Sequence, residues 1–148
     1  MTTIKSGLIT LLLVCCIVSI SFKSKGSTIL KDSIVGRWIL VGYFPKKIDT
    51  FAHKELIVID IDKDGMTTGF LGCNKFRTTC RIYQDSITFG TILYSRKFCS
   101  RTYMDMEDQL KITLSKSNIF NIEEKTLMLF EGKKKLASFK KVEYVHQP

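Results

Sequence analysis

Apolar and polar residues alternate along most of the chain after residue 33, with the period of two that is typical of half-buried β-strands. Asp64-Gly65 lies between two apolar runs and predicts a hairpin turn, because both residues tolerate positive φ. Tight turns separate most neighbouring runs, so we expect an antiparallel meander. The pattern predicts strands at 34–44, 55–62, 66–72, 78–83, 86–90, 119–123, 126–131 and 136–142.

The period changes to three and four in the segment 103–117, which predicts one amphipathic helix with Thr102 as its N-cap. The apolar residues at helical spacing are Tyr103, Met106, Leu110 and Leu114. Strands, a late helix and further strands indicate an α+β fold. We expect the meander to curl into a partly closed, barrel-like sheet, with the amphipathic helix packed against it.

The N-terminus has the parts of a secretory leader. Lys5 precedes the nearly apolar stretch 7–22, which fits a signal-peptide core better than a bilayer-spanning helix of about 20 residues. Residues 13–16 (LVCC) form a loose lipobox, which makes Cys16 the candidate for lipidation, whereas 19–21 (SIS) suits plain cleavage. An uncleaved anchor is the third alternative. We divide the chain into a leader (1–22), a short tether (23–33), a domain (34–142) and a tail (143–148).

The chain is basic, with 23 Lys and Arg against 14 Asp and Glu and a net charge of +9. For an exported monomer we expect no nucleic-acid partner. An anionic surface or an envelope protein fits better, in addition to the membrane itself if the N-terminus is lipidated. The densest lysines also fit a hairpin turn and an edge strand, where they would discourage aggregation. This basic cluster consists of Lys133, Lys134, Lys135, Lys140 and Lys141.

Residues suited to catalysis or metal binding are few. His53 and His146 are the only histidines, and no metal-ligand spacing, nucleophile elbow or phosphate-binding glycine loop is present in the sequence. We therefore predict a protein that is not an enzyme and that has neither a metal site nor a cofactor.

Three cysteines follow the leader, and an odd number permits at most one internal disulfide. Export favours oxidation. Cys73 ends a predicted strand and Cys99 precedes the helix, so these two are the first candidate pair. Cys80 shares its strand face with Ile82 and is the alternative partner. A chain without a disulfide is the third alternative.

The segment 72–76 (GCNKF) resembles the Gly-Cys-Asn-x-Phe motif of the META domain, the family that includes the HslJ heat-shock lipoprotein. Further landmarks follow in the family's order at 36–40 (GRWIL), 87–90 (ITFG), 95–99 (SRKFC), 127–129 (LML) and 137–139 (ASF). The resemblance spans residues 34–142. Its motif residues in this sequence are Gly72, Cys73, Asn74, Phe76, Cys99 and Glu107.

The resemblance implies a small antiparallel β domain with a packed helix, often exported or lipid-anchored in bacteria and linked to stress tolerance, without a general catalytic activity. For 72–74 we favour a structural turn over ligand binding. The first functional hypothesis is a non-catalytic envelope protein that binds or stabilises a partner. The alternative is a lipocalin-like carrier of a small apolar ligand, because 36–38 (GRW) also resembles the start of lipocalins.

Overall fold

The computed structural model describes residues 33–43 and 57–142. The predicted leader with Cys16, most of the predicted tether, the predicted tail and both histidines lie outside these residues. The described residues form the strands β1 (Gly36–Tyr43), β2 (Val58–Ile61), β3 (Met66–Phe70), β4 (Lys75–Tyr83), β5 (Ser86–Phe89), β6 (Leu93–Tyr94), the helix α1 (Arg101–Lys116), and the strands β7 (Ile119–Glu123), β8 (Thr126–Glu131) and β9 (Lys134–Val142).

All strands belong to one antiparallel sheet with the order β3-β2-β1-β9-β8-β7-β5-β4-β6. Because β3 also pairs with β4, the sheet curls into a ring of neighbouring strands, and β6 is attached to the other edge of β4. The first and last strands pair directly, with Leu40 opposite Phe139. The predicted α+β class and the curled antiparallel sheet are confirmed.

The core lies inside this curled sheet. Trp38, Leu129 and Phe139 are completely buried, and along β4 every second residue from Phe76 to Cys80 points inward. Strand alternation is what allows one face to be apolar while the other faces water. The Trp38 indole satisfies its N–H by donating to the carbonyl oxygen of Ile34 at 2.7 Å. The helix contributes Met106, Leu110 and Leu114 to the same core.

The start of the helix differs from the prediction. The helix begins at Arg101, so Thr102 lies within it and Ser100 occupies the N-cap position, without a side-chain capping bond. Ser100 has an extended backbone, and its carbonyl oxygen accepts hydrogen bonds from the N–H groups of Tyr103 and Met104, with N···O distances of 3.0 and 3.1 Å. Backbone hydrogen bonds therefore decide where this helix starts.

The bounds of several strands also differ from the prediction, and one strand was missed. β4 begins three residues earlier than predicted, because Lys75 pairs with Phe70 of β3. The two-residue strand β6 was not predicted, since two residues cannot show a period. Within the described ranges, no helix combines the length and the apolar character needed to cross a bilayer.

Candidate functional site

A tight turn at 71–74 connects β3 to β4 and carries the centre of the motif. It is closed by the N–H of Leu71, which donates to the carbonyl oxygen of Asn74 at 3.1 Å. Gly72 has φ +102°, a conformation that side chains with a Cβ rarely adopt. A Cβ here would also lie 2.5 Å from the Met106 Cε. Glycine therefore allows the turn to press directly against helix α1.

Asn74 is buried at the centre of this contact. Its backbone N–H donates to Glu107 Oε2 at 2.7 Å, and its Nδ2 donates to Glu107 Oε1 at 3.2 Å and to the carbonyl oxygen of Lys97 at 3.3 Å. Its Oδ1 accepts from the Ser95 hydroxyl and from the Lys97 N–H, both at 2.8 Å. Two donors and two acceptor positions are all that an amide side chain offers. Asn74 is thus fully occupied by protein contacts.

Glu107 is a buried carboxylate on the inward face of α1, only 4% exposed. In addition to its hydrogen bonds with Asn74, Glu107 forms a salt bridge with Lys111, whose Nζ lies 3.5 Å from Glu107 Oε1. Lys111 also binds Asp108 Oδ1 at 2.7 Å and lies 3.9 Å from the centre of the Tyr94 ring. Burial by itself would lower the pKa of Lys111, but the hydrogen bond to Asp108 and the nearby charges raise it overall. The buried charge of Glu107 is therefore compensated, as such charges must be.

A disulfide joins Cys73 to Cys99, with their Cα atoms 6.0 Å apart. Cys80, the alternative partner, is a buried free cysteine, and burial raises the pKa of its thiol to about 12. Cys73 Sγ also lies 3.5 Å from the carbonyl oxygen of Lys97. A disulfide sulfur carries no proton, so we treat this approach as packing and not as a hydrogen bond.

The motif residues thus form one structural unit, which we call the Asn74 hub: Gly72, Cys73, Asn74, Cys99 and Glu107. The hub ties together the turn before β4, the segment before α1, and α1 itself. Phe76, the remaining motif residue, lies in the main core. The polar side chains of the hub form hydrogen bonds within the domain, so the arrangement links these three segments to one another.

From the sequence, Glu107 was identified only as a motif residue, and it was not predicted that its side chain points into the core. The helical spacing of Glu107 could have indicated this. Glu107 lies four residues after Tyr103 and three before Leu110, so it falls on the apolar face of the helix. A charged residue on such a face needs a buried partner. The identity of that partner, Asn74, depends on a contact 33 residues away.

The basic cluster is divided by the fold. Lys133 is exposed in the turn between β8 and β9, and Lys134 is exposed at the start of β9. Lys140 lies six residues further along β9 than Lys134, or about 20 Å at the usual rise per residue. Lys141 turns inward, donating to the carbonyl oxygen of Ser33 at 3.1 Å, with its Nζ 5.2 Å from the centre of the Trp38 ring. Lys135 is partly buried.

The expectation of an edge strand at these lysines is also wrong. β9 has β1 on one side and β8 on the other, so it is an interior strand. The five lysines therefore do not form a single patch. Among the residues the structure describes, no three His, Cys, Asp or Glu side chains are grouped closely enough to hold a metal ion.

Solved structures share this fold at low sequence identity. An NMR structure of a protein from Burkholderia xenovorans is 13% identical, with a TM-score of 0.65 over 77% of this chain and 87% of its own. A crystal structure of a DUF4847 family protein from Bacteroides vulgatus is 16% identical, with a TM-score of 0.51 over 71% of this chain and 91% of its own. Another protein solved by NMR is 17% identical, with a TM-score of 0.57 over 71% of this chain and 87% of its own.

At such identities these likenesses establish the fold alone. No curated protein sequence matches the chain. The family is shown by sequence instead, since the model of the META domain matches residues 32–143, which include the whole predicted domain (34–142) and more than half of the chain. The protein belongs to the META domain family.

Proposed function

We propose that this protein is an exported, non-catalytic component of the bacterial cell envelope, related in role to the HslJ-like stress proteins that its sequence resembles. In this proposal the META domain is a rigid module that binds or stabilises a partner outside the cytoplasm. The N-terminal leader delivers it there and either anchors it through a lipid on Cys16 or is removed by plain cleavage.

The disulfide between Cys73 and Cys99 is the observation that carries the proposal of export. Disulfides persist in the periplasm and outside the cell, whereas the cytosol keeps thiols reduced. The bond also closes the Asn74 hub covalently, so the domain would reach its most stable form only after export. The apolar stretch 7–22 provides an independent argument for the same destination.

The saturation of the hub supports a structural and binding role over a catalytic one. A catalytic carboxylate needs a free oxygen directed at a substrate. Glu107, the buried carboxylate of the motif, has both oxygens bound to Asn74. The motif therefore fits a structural role in stabilising the domain. A partner would then bind to the outer surface of the domain and not to the buried motif.

Mass determination of the N-terminus in envelope fractions tests this proposal. We expect either an acylated Cys16 in the membrane fraction or a start near Phe22 in the soluble exported fraction, in both cases with Cys73 and Cys99 oxidised. Cys16→Ser should abolish any acylation, and the matched control Cys15→Ser should leave it intact. An intact Met1 in the cytosol with three free thiols in the domain would refute export.

The packed interior weighs against the lipocalin-like carrier. A carrier of this kind needs a roomy cavity inside its barrel, and here Trp38, Leu129 and Phe139 fill the interior and are completely buried. Organic extraction of the purified protein separates the two hypotheses. A lipid recovered in equimolar amount would favour the carrier over the proposal made above.

A further inference from the structure

Positive charge is concentrated in the middle of the chain. Between residues 66 and 104, Asp85 is the single acidic residue against six basic ones, so this segment contributes +5 of the net charge of +9. The six are Lys75, Arg77, Arg81, Arg96, Lys97 and Arg101. The lysine-rich end of the chain, which the sequence pattern emphasised, is therefore not the main source of the excess charge.

The fold brings much of this charge to the part of the sheet where β6 pairs with β4. Leu93 lies opposite Arg77 in the β4–β6 pair, and the N–H of Ser95 donates to the carbonyl oxygen of Lys75 at 3.0 Å. Opposite residues in an antiparallel pair project from the same face, and Arg77 lies on the face of β4 that is turned away from the core. We use the name basic ridge for these outward residues together with the exposed residues that follow Ser95 in the chain: Lys75, Arg77, Leu93, Arg96, Lys97 and Phe98.

Two apolar side chains project from the basic ridge. Phe98 is 93% exposed and Leu93 is 57% exposed. The backbone at Phe98 is held on both sides, because the Lys97 N–H is bound to Asn74 Oδ1 and Cys99 is fixed by its disulfide. The aromatic side chain of Phe98 is therefore exposed to solvent while its flanking backbone is constrained. Its burial would have stabilised the domain, and this stabilisation is absent.

The cations of the basic ridge have no ion-pair partner among the residues that the structure describes. No salt bridge within 33–43 or 57–142 involves the four cations of this surface, which are Lys75, Arg77, Arg96 and Lys97. Elsewhere in the sheet, by contrast, Arg37 is paired with Asp60 at 2.8 Å. Four positive charges that no described residue compensates, together with an exposed aromatic side chain, define a surface that is complementary to an anionic interface.

We infer that the basic ridge docks on the surface of an anionic lipid bilayer, with Phe98 and Leu93 entering the interface and the four cations meeting the head groups. Apolar tips flanked by Lys and Arg bind such surfaces through apolar burial and electrostatic attraction together. An acidic protein would need a pocket matched to Phe98, whereas a bilayer accepts an apolar tip at any position. The inference rests on the proposed envelope location for its biological setting.

A tryptophan reporter at the tip tests docking in the full chain. In the F98W variant, the native Trp38 is completely buried and provides a constant background. With vesicles containing brominated phosphatidylglycerol we expect quenching and a blue shift of the emission from position 98. Both effects should disappear at high salt, because screening weakens the attraction of exposed charges. Brominated phosphatidylcholine vesicles should leave the emission unchanged.

Charge-matched variants in the F98W background identify the surface. R96Q/K97Q and K133Q/K134Q each remove two exposed positive charges. Each cation at an anionic surface contributes roughly a factor of five, so the first pair should lower the ratio of docked to undocked domain by about 30-fold, and the second pair should change it little. Because the leader is the same throughout, its own lipid affinity does not alter this comparison.

The inference is overturned if position 98 stays unquenched on phosphatidylglycerol vesicles, if phosphatidylcholine quenches it equally, or if the two double variants lose docking to the same extent. Circular dichroism spectra that match the parent establish that each variant is folded. The export proposal is tested by a different experiment, the mass determination of the N-terminus. A failure of docking would therefore not contradict export.

Discussion

Asn74 and Glu107 are 33 residues apart in the chain and are joined by two hydrogen bonds, from the Asn74 backbone N–H at 2.7 Å and from its side-chain amide at 3.2 Å. One carboxylate thus fixes both the backbone and the side chain of the same residue. Helix α1 is thereby attached to the turn before β4 by polar contacts, in addition to its apolar face. The stability of the domain should depend strongly on this pair.

Glu107→Ala should lower the free energy of unfolding by about 3 kcal/mol, because it leaves two buried donors of Asn74 without an acceptor. Urea denaturation followed by circular dichroism measures the change. Asp108→Ala is the matched control on the same helix. Asp108 is 63% exposed, and its pair with Lys111 should be worth about 1 kcal/mol or less. Equal losses in the two variants would show that the buried pair has no special role.

Replacement of both Cys73 and Cys99 by Ser should lower the free energy of unfolding by about 3–4 kcal/mol, because the unfolded chain is released from a closed loop. The sequence separation of 26 residues determines the size of this loop. The unfolding midpoint with and without a reducing agent measures the effect. Reduction should destabilise the parent and leave the double variant unchanged; a parent insensitive to reduction would contradict the prediction.

Gly72→Ala should lower the free energy of unfolding by about 1–3 kcal/mol, because φ +102° lies beyond the left-handed helical range that residues with a Cβ can adopt. Gly132→Ala is the control, since Gly132 also has positive φ (+57°) but a Cβ there meets no atom within 4 Å. It should cost about 1 kcal/mol. A double-mutant cycle with Met106→Ala should show a coupling below about 1 kcal/mol, because the flexible end of the Met106 side chain can move away from the new Cβ. A larger coupling would mean that the helix contact, and not the backbone conformation of Gly72, determines the cost.

The Cys80 thiol should be inert in the native protein. Burial raises its pKa to about 12. In a C15S/C16S background, which removes the leader thiols, a thiol-specific disulfide reagent at pH 8 should detect no thiol before denaturation and one afterwards. Rapid reaction of the native protein would contradict the burial of this side chain.

The same group makes stability depend on alkaline pH. The unfolded thiol loses its proton near pH 9, whereas the folded one keeps it until about pH 12. Between these values the folded state binds more protons, so the free energy of unfolding falls as pH rises. Cys80→Ala should reduce this slope by up to about 1.4 kcal/mol per pH unit. Identical slopes in parent and variant would refute the assignment.

Local patterns predicted the elements well where one strand face is buried. β7 and β8 have the predicted bounds, because Phe120, Leu127 and Leu129 alternate cleanly with outward residues. The helix was recognised for the same reason, at a period of three to four. Prediction failed where pairing or capping decided the outcome. β6 exists only through its contact with β4, and the first turn of α1 is held by the backbone of Ser100.

The amino-acid sequence by itself determined the class of fold, the order of all described elements except β6, the apolar character of the stretch 7–22 and the positive excess, because each follows from composition or from a period along the chain. Only the tertiary structure decided that Cys73 meets Cys99, that Glu107 turns inward to Asn74, and that the lysines of β9 separate while a basic ridge forms elsewhere. These outcomes depend on distances between residues far apart in the chain. Those distances are set by strand pairing and packing, which no local period contains.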